Sequence, residues 1–173
     1  IKLVFTEMAK IISIYGPKVI VSINISPIQL SSEQFVEKLI TLLKDYNVEP
    51  SSIELEITES VFMDNVEGIR QVIDDLKDAG VRIALDDFGT GYSALKYISD
   101  FPIDTLKIDK VFIDKIKDSK YQSIIKSIID LANALSLDVV AEGVEEHEQV
   151  ETLKKIGCNI IQGYVYSKPK YLN

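Results

Sequence analysis

The 173-residue chain has a single cysteine, Cys158, and a single histidine, His147. One thiol cannot form a disulfide framework within the chain, and a zinc centre of Cys and His ligands is all but excluded. A lone thiol suits a reducing cytoplasm. No stretch approaches the roughly 18 continuous apolar residues of a membrane span, and the N-terminus lacks the pattern of a signal peptide. Positive charge is scarce: 19 Lys and Arg stand against 27 Asp and Glu, a formal charge of −8. That balance argues against a nucleic-acid polymer as ligand, which needs a basic footprint. A small phosphate ligand held through metal ions stays open, because bound cations invert the local charge logic. Also missing is a Gly-x-Gly-x-x-Gly after the first strand, so nothing marks a dinucleotide crossover.

What is present reads as one soluble globular domain over residues 1–173, with 46% hydrophobic and 27% charged residues. A first helix over 2–15 carries Val4, Met8, Ile11 and Ile12 on one face and stops at Gly16-Pro17. With no initiator Met before it, the expectation is a chain that begins mid-domain. A β-branched run over 19–25 follows. Ser31-Ser32-Glu33-Gln34 has the form of a capping box, opening a helix to about residue 46. Further strands are expected at 53–58, 81–85, 105–108, 138–141 and 160–164. The expected helices lie at 66–79, 121–135 and 146–156. A glycine-rich loop, Phe88-Gly89-Thr90-Gly91, and a short helix near 93–99 fall between the third and fourth strands.

Strict strand–helix alternation implies a parallel sheet, with strands expected to be apolar on both faces under covering helices. Each strand delivers a ligand-type side chain at or just past its C-terminal end: Asn24; Glu56 and Glu59; Asp86 and Asp87; Lys107 and Asp109; Glu142 and Glu145; Gln162. Six consecutive strands ending this way point to a (β/α)8 TIM-type barrel, whose strand ends converge on one site. Six βα units are present, and the first two strands are expected to be missing from this chain.

Carboxylates and an amide oxygen without histidine make a hard, oxygen-rich site that selects Mg²⁺, Mn²⁺ or Ca²⁺. The adjacent Asp86 and Asp87 suit two neighbouring metals, and ions about 3.5–4 Å apart activate water and hold a phosphoryl oxygen. Lys107 adds a fixed positive charge. Each residue also has a plainer reading. Asn24 alone reads as a turn cap, and Asp86-Asp87 as a turn opener before Gly89. Asp109 reads as a partner of Lys107 or Lys110, Glu145 as the cap of the next helix, and Glu54 as facing solvent or a helix. His147, in a Glu-Glu-His-Glu run, reads as solvated surface, and Cys158 as a small buried residue.

The segments SINIS (22–26), ELEITES (54–60), IALDDFGTGYSAL (83–95), TLKIDK (105–110), VVAEGVE (139–145) and IQGYVYSKP (161–169) resemble, in order, the serial motifs of EAL domains. The resemblance covers essentially the whole chain. It implies hydrolysis of cyclic di-GMP to pGpG with Mg²⁺ or Mn²⁺, two ions, and inhibition by Ca²⁺. Asn24, Glu56, Asp86 and Asp87 then resemble metal ligands. Lys107 resembles the lysine that assists the catalytic water, Glu142 a further active-site carboxylate, and Glu59 the glutamate that holds the DDFGTG loop. Gln162 resembles a contact near substrate, and Asp109 is placed with it on the substrate side. The resemblance further implies a homodimer through the loop from Asp86 to Leu95. The domain is expected to be cytoplasmic and to make no membrane contact, alone or as the cytoplasmic part of a larger membrane-attached sensor.

Two departures stand out. Ala94 replaces a usual serine, and the Glu-Ala-Leu segment, whose Glu is a metal ligand and whose nearby Arg contacts phosphate, is absent. A rival reading is therefore a non-catalytic receptor that binds cyclic di-GMP or a protein partner.

Overall fold

The computed structural model describes residues 2–16, 18–32, 34–62, 66–89 and 98–170. Among these, six strands form one parallel sheet in sequence order: β1 (Val21–Asn24), β2 (Ile53–Thr58), β3 (Arg82–Phe88), β4 (Thr105–Ile108), β5 (Asp138–Ala141) and β6 (Ile160–Ile161). The sheet curls into part of a barrel, as unbroken sequential order with helical crossovers dictates. Helices α1 (Lys2–Tyr15), α2 (Pro27–Leu30), α3 (Phe35–Asp45) and α4 (Val66–Asp78) accompany the first three strands. Three more, α5 (Lys110–Ile113), α6 (Ser119–Ala134) and α7 (His147–Ile156), accompany the rest. No described helix is long and apolar enough to cross a membrane.

The two faces of the sheet differ in chemistry, contrary to the expectation of strands apolar on both. Ile53, Leu55 and Ile57 of β2, Ile83 and Leu85 of β3, and Leu106 and Ile108 of β4 are fully buried. They pack with Leu39, Leu43, Ile69, Ile73 and Ile125 from the helices in one continuous core. The alternate positions carry Glu54 and Glu56, Arg82 and Asp86, Thr105 and Lys107. Because side chains alternate along a strand, these polar residues share the concave face. The helices supply the apolar seal, and the barrel interior is built for charge.

Two boundaries depart from expectation. The box expected at residues 31–34 forms instead one turn earlier. Ser26 Oγ accepts from Gln29 N, Gln29 Oε1 accepts from Ser26 N at 3.0 Å, and Pro27 sits at the first helical position. Gln34 precedes α3 without a side-chain cap bond. The second difference is β6, which ends at Ile161. The chain turns there because Val144 N donates to Gln162 O at 3.1 Å and Tyr166 N to Gly163 O at 3.2 Å. A Cβ on Gly163 would lie 2.1 Å from Val144 O. Gly163→Ala is therefore expected to lower stability by about 1–3 kcal/mol, read as the midpoint of urea unfolding; an unchanged midpoint would contradict this packing.

Candidate active site

The site rests on one buried cation surrounded by acids. The Lys107 side chain is 2% exposed and projects from β4 into the concave face. Its Nζ donates to Glu56 Oε1 on β2 and pairs with Glu142 Oε1 just past β5; Asp86 Oδ1 on β3 lies 3.9 Å away. Three carboxylates around one ammonium leave the cluster with excess negative charge. Burial works against the charge on Lys107, but Glu142 and Glu56 outweigh it and hold its pKa above the ordinary lysine value.

Glu142 carries the cost of that excess. Burial raises its carboxyl first, the charges of Asp86 and Glu56 add to this, and Lys107 opposes it; the net effect pushes it up to about 7. A carboxylate raised in the folded state favours the fold below its unfolded pKa, and that contribution fades as pH rises through about 7. The cation-free protein should accordingly melt at a higher temperature near pH 5.5 than near pH 8. Glu142→Gln should flatten this slope, measurable by thermal unfolding across that range; an equal slope in the variant would refute the assignment.

Two consecutive aspartates reach one site through a backbone irregularity. Between Leu85, opposite Leu106, and Phe88, opposite Ile108, the register of β3 shifts by one residue. Asp86 and Asp87 together therefore oppose Lys107, as in a β-bulge. Asp87 takes the left-handed conformation at φ 56°, which Asp tolerates better than most residues. Asp86 Oδ1 accepts from Asp87 N at 2.9 Å. The Asp87 carboxyl is raised by burial, then by the Asp86 charge and by its hydrogen bond to Asp109.

The remaining candidates lie around this centre. Asn24 pairs with Glu56 in the β1–β2 register and is exposed. Glu59 Oε1 accepts from Gly89 N at 2.9 Å. Asp109, placed on the substrate side from sequence, caps α5: its Oδ1 accepts from Val111 N at 2.6 Å. Gln162 is exposed and lines, with Glu142, a pocket of about 450 Å³ that includes Tyr164 and Lys168. Glu145 pairs with Lys110 at 3.0 Å, while Glu146 rather than Glu145 caps α7. Of the loop implicated in a dimer contact, residues 90–95 lie outside the described residues, as does most of the short helix expected near 93–99.

Glu54 does not face solvent or a helix. It is 5% exposed on the concave face, where Thr105 Oγ1 donates to it at 2.5 Å, Ser22 Oγ at 3.1 Å and Arg82 Nε at 3.4 Å. Arg82 also reaches Asp138 at 2.7 Å. This polar layer lies one step below the Glu56–Lys107 layer and ties five strands together. Its parity with Glu56 was the available signal.

Among the described residues, no group of three acidic, Cys or His side chains closes around a point where an ion would sit. Glu56 and Glu142 turn instead to Lys107. The donor set nonetheless fits a hard divalent cation: every ligand-type atom is oxygen, and the cluster has more acid than its lysine neutralises.

A curled parallel α/β sheet with oxygen-bearing side chains massed at its strand C-termini defines a barrel-type domain with an acidic cleft at its strand ends. The EAL domain family matches residues 1–169, and the chain belongs to that family. It is 44% identical over 150 residues to the signaling protein YkoW of Bacillus subtilis, covering 86% of this chain and 19% of that protein. It is 41% identical over the same length to the cyclic di-GMP phosphodiesterase PdeR of Escherichia coli, covering 23% of it. The chain thus spans about a fifth of the length of these relatives. Among solved structures, the EAL domain of Mycobacterium smegmatis DcpA superposes with a TM-score of 0.92 at 38% identity, covering 97% of this chain and 76% of that one. The PaMucR phosphodiesterase in complex with c-di-GMP superposes with a TM-score of 0.88 at 34% identity, covering 97% and 70%.

Proposed function

We propose that this domain, in its full-length protein, hydrolyses cyclic di-GMP to pGpG with Mg²⁺ or Mn²⁺. The observation that carries the reading is the acid excess around Lys107, with Glu56, Asp86 and Glu142 gathered from three strands. Relatives named cyclic di-GMP phosphodiesterases support it, as does a relative solved with c-di-GMP bound.

Asn24, Glu56, Asp86 and Asp87 would hold the cations, which when bound would polarise the phosphodiester and activate water. In the reaction, a water oxygen bonds to one phosphorus and the P–O3′ bond breaks. The 3′ oxygen leaves with a proton, and the phosphate stays on the 5′ carbon of a linear dinucleotide. Lys107 supplies fixed positive charge where the phosphoryl oxygens gain negative charge. Glu142, a carboxylate paired with Lys107 at the end of β5, is suited to take a proton from the attacking water. Glu59 holds Gly89 and so steadies the segment that presents Asp87.

Treatment with a chelator is expected to abolish turnover by the full-length protein. Mg²⁺ or Mn²⁺ should restore it, and Ca²⁺ should inhibit by occupying the site with a larger, looser coordination shell. Undiminished turnover in excess chelator would sink the reading.

A further inference from the structure

The segment that presents Asp87 is held from a second side. α5 starts directly after Asp109 and is fixed at both ends: Asp109 caps it, and Gln149 Nε2 donates to Ile113 O at 3.2 Å. Lys110 adds bonds to Asp114 at 2.7 Å and to Gly143 O at 3.4 Å, and an ion pair to Glu145 at 3.0 Å. A short helix pinned this densely acts as a rigid wedge. Its Phe112 is half-buried and packs toward Tyr121 of α6, with ring centroids 6.5 Å apart. The far end of the ring lies over Gly89. A Cβ built on Gly89 would come within 2.9 Å of both Phe112 Cε2 and Cζ, and Gly89 sits at φ +94°. Gly89 is thus gripped between the Glu59 carboxylate on its N–H and the Phe112 ring above it. Only one residue, Phe88, separates it from Asp87.

We infer that Phe112 is a positioning residue for the cation site: its ring, fitted to the bare Cα of Gly89, sets where Asp87 stands beside Asp86. This rests on the reading of Asp86 and Asp87 as cation ligands. The contact that carries this runs from the Phe112 ring to Gly89, so the ring acts through the backbone of residues 87–89. Loss of the ring would let that segment lift, and ligands displaced by a fraction of an ångström bind cations less well.

The test is Mn²⁺ binding to the full-length protein, followed by calorimetry and by the EPR signal of the bound ion, with no substrate present. Phe112→Ala is expected to weaken Mn²⁺ affinity by about tenfold and to broaden the EPR signal. Phe112→Leu, which keeps apolar bulk over Gly89, should recover most of that affinity and decides the matter if the alanine variant does not fold. Gly89→Ala should weaken binding in the wild-type background and do so less in the Phe112→Ala background, because contacting residues couple. Wild-type Mn²⁺ affinity and spectrum in Phe112→Ala, or independent effects of the two substitutions, would overturn the inference while leaving the site reading intact. Failure of the wild-type protein to bind Mn²⁺ would overturn both.

Discussion

Replacing Lys107 by methionine will destabilise the cation-free protein by about 3–5 kcal/mol near pH 8, the loss expected when one member of a buried ion pair is removed. Lys107 is 2% exposed and its partners Glu56 and Glu142 are 6% and 18% exposed. Without the ammonium, both carboxylates are left buried beside Asp86 with no counter-charge. Methionine fills a similar volume, so packing changes little and the loss is electrostatic. Two consequences separate this from a general packing defect. The variant should regain stability on acidification, because protonation removes the charge that lacks a partner. It should also gain more stability from added Mn²⁺ than the wild type does, because the ion replaces the missing charge. Turnover should fall by about 10²–10³-fold, as for other fixed charges removed from a transition state. Equal melting temperatures for variant and wild type at pH 8 would show that Lys107 is not the charge balancing this cluster.

The second large effect is expected at Asp86. Asp86→Asn keeps the side-chain shape and leaves an oxygen to accept from Asp87 N, as Asp86 Oδ1 does at 2.9 Å. The bulge that brings both aspartates opposite Lys107 should survive, and with it the fold. What is lost is one negative charge at the centre of the proposed cation site. Mn²⁺ affinity and turnover should each drop by about 10²-fold or more, with a melting temperature close to that of the wild type. Because Asp86 raises the Glu142 carboxyl, the variant should also show Glu142 titrating at lower pH. A variant turning over at the wild-type rate would remove Asp86 from the site.

Much of this architecture was legible in the sequence because its signals are periodic. The helix expected at 66–79 is α4, and its Ile69, Ile73 and Leu76, at helical spacing, are buried. The strand-end residues Glu56, Asp86, Lys107 and Glu142 converge because parallel strands in a curled sheet bring their C-terminal ends together. What escaped was conformational or depended on neighbours. Nothing in Leu85-Asp86-Asp87-Phe88 announces a bulge with a left-handed Asp87, and that irregularity lets consecutive residues serve one site. Ser31 offered the same cap chemistry as Ser26, but Pro27 favoured the earlier start by pre-setting the first helical φ. Glu54 was misplaced for a different reason: its strand parity with Glu56 pointed inward, and its layer of Arg82, Thr105 and Asp138 becomes visible only once β2, β3, β4 and β5 lie side by side.

The most direct measurement is product analysis of the full-length protein incubated with cyclic di-GMP and Mn²⁺. The arrangement of Glu56, Asp86, Lys107 and Glu142 predicts that cyclic di-GMP is consumed and pGpG accumulates in equal amount. Cyclic di-GMP bound tightly and recovered intact, with no pGpG formed, would contradict it and identify the domain as a receptor.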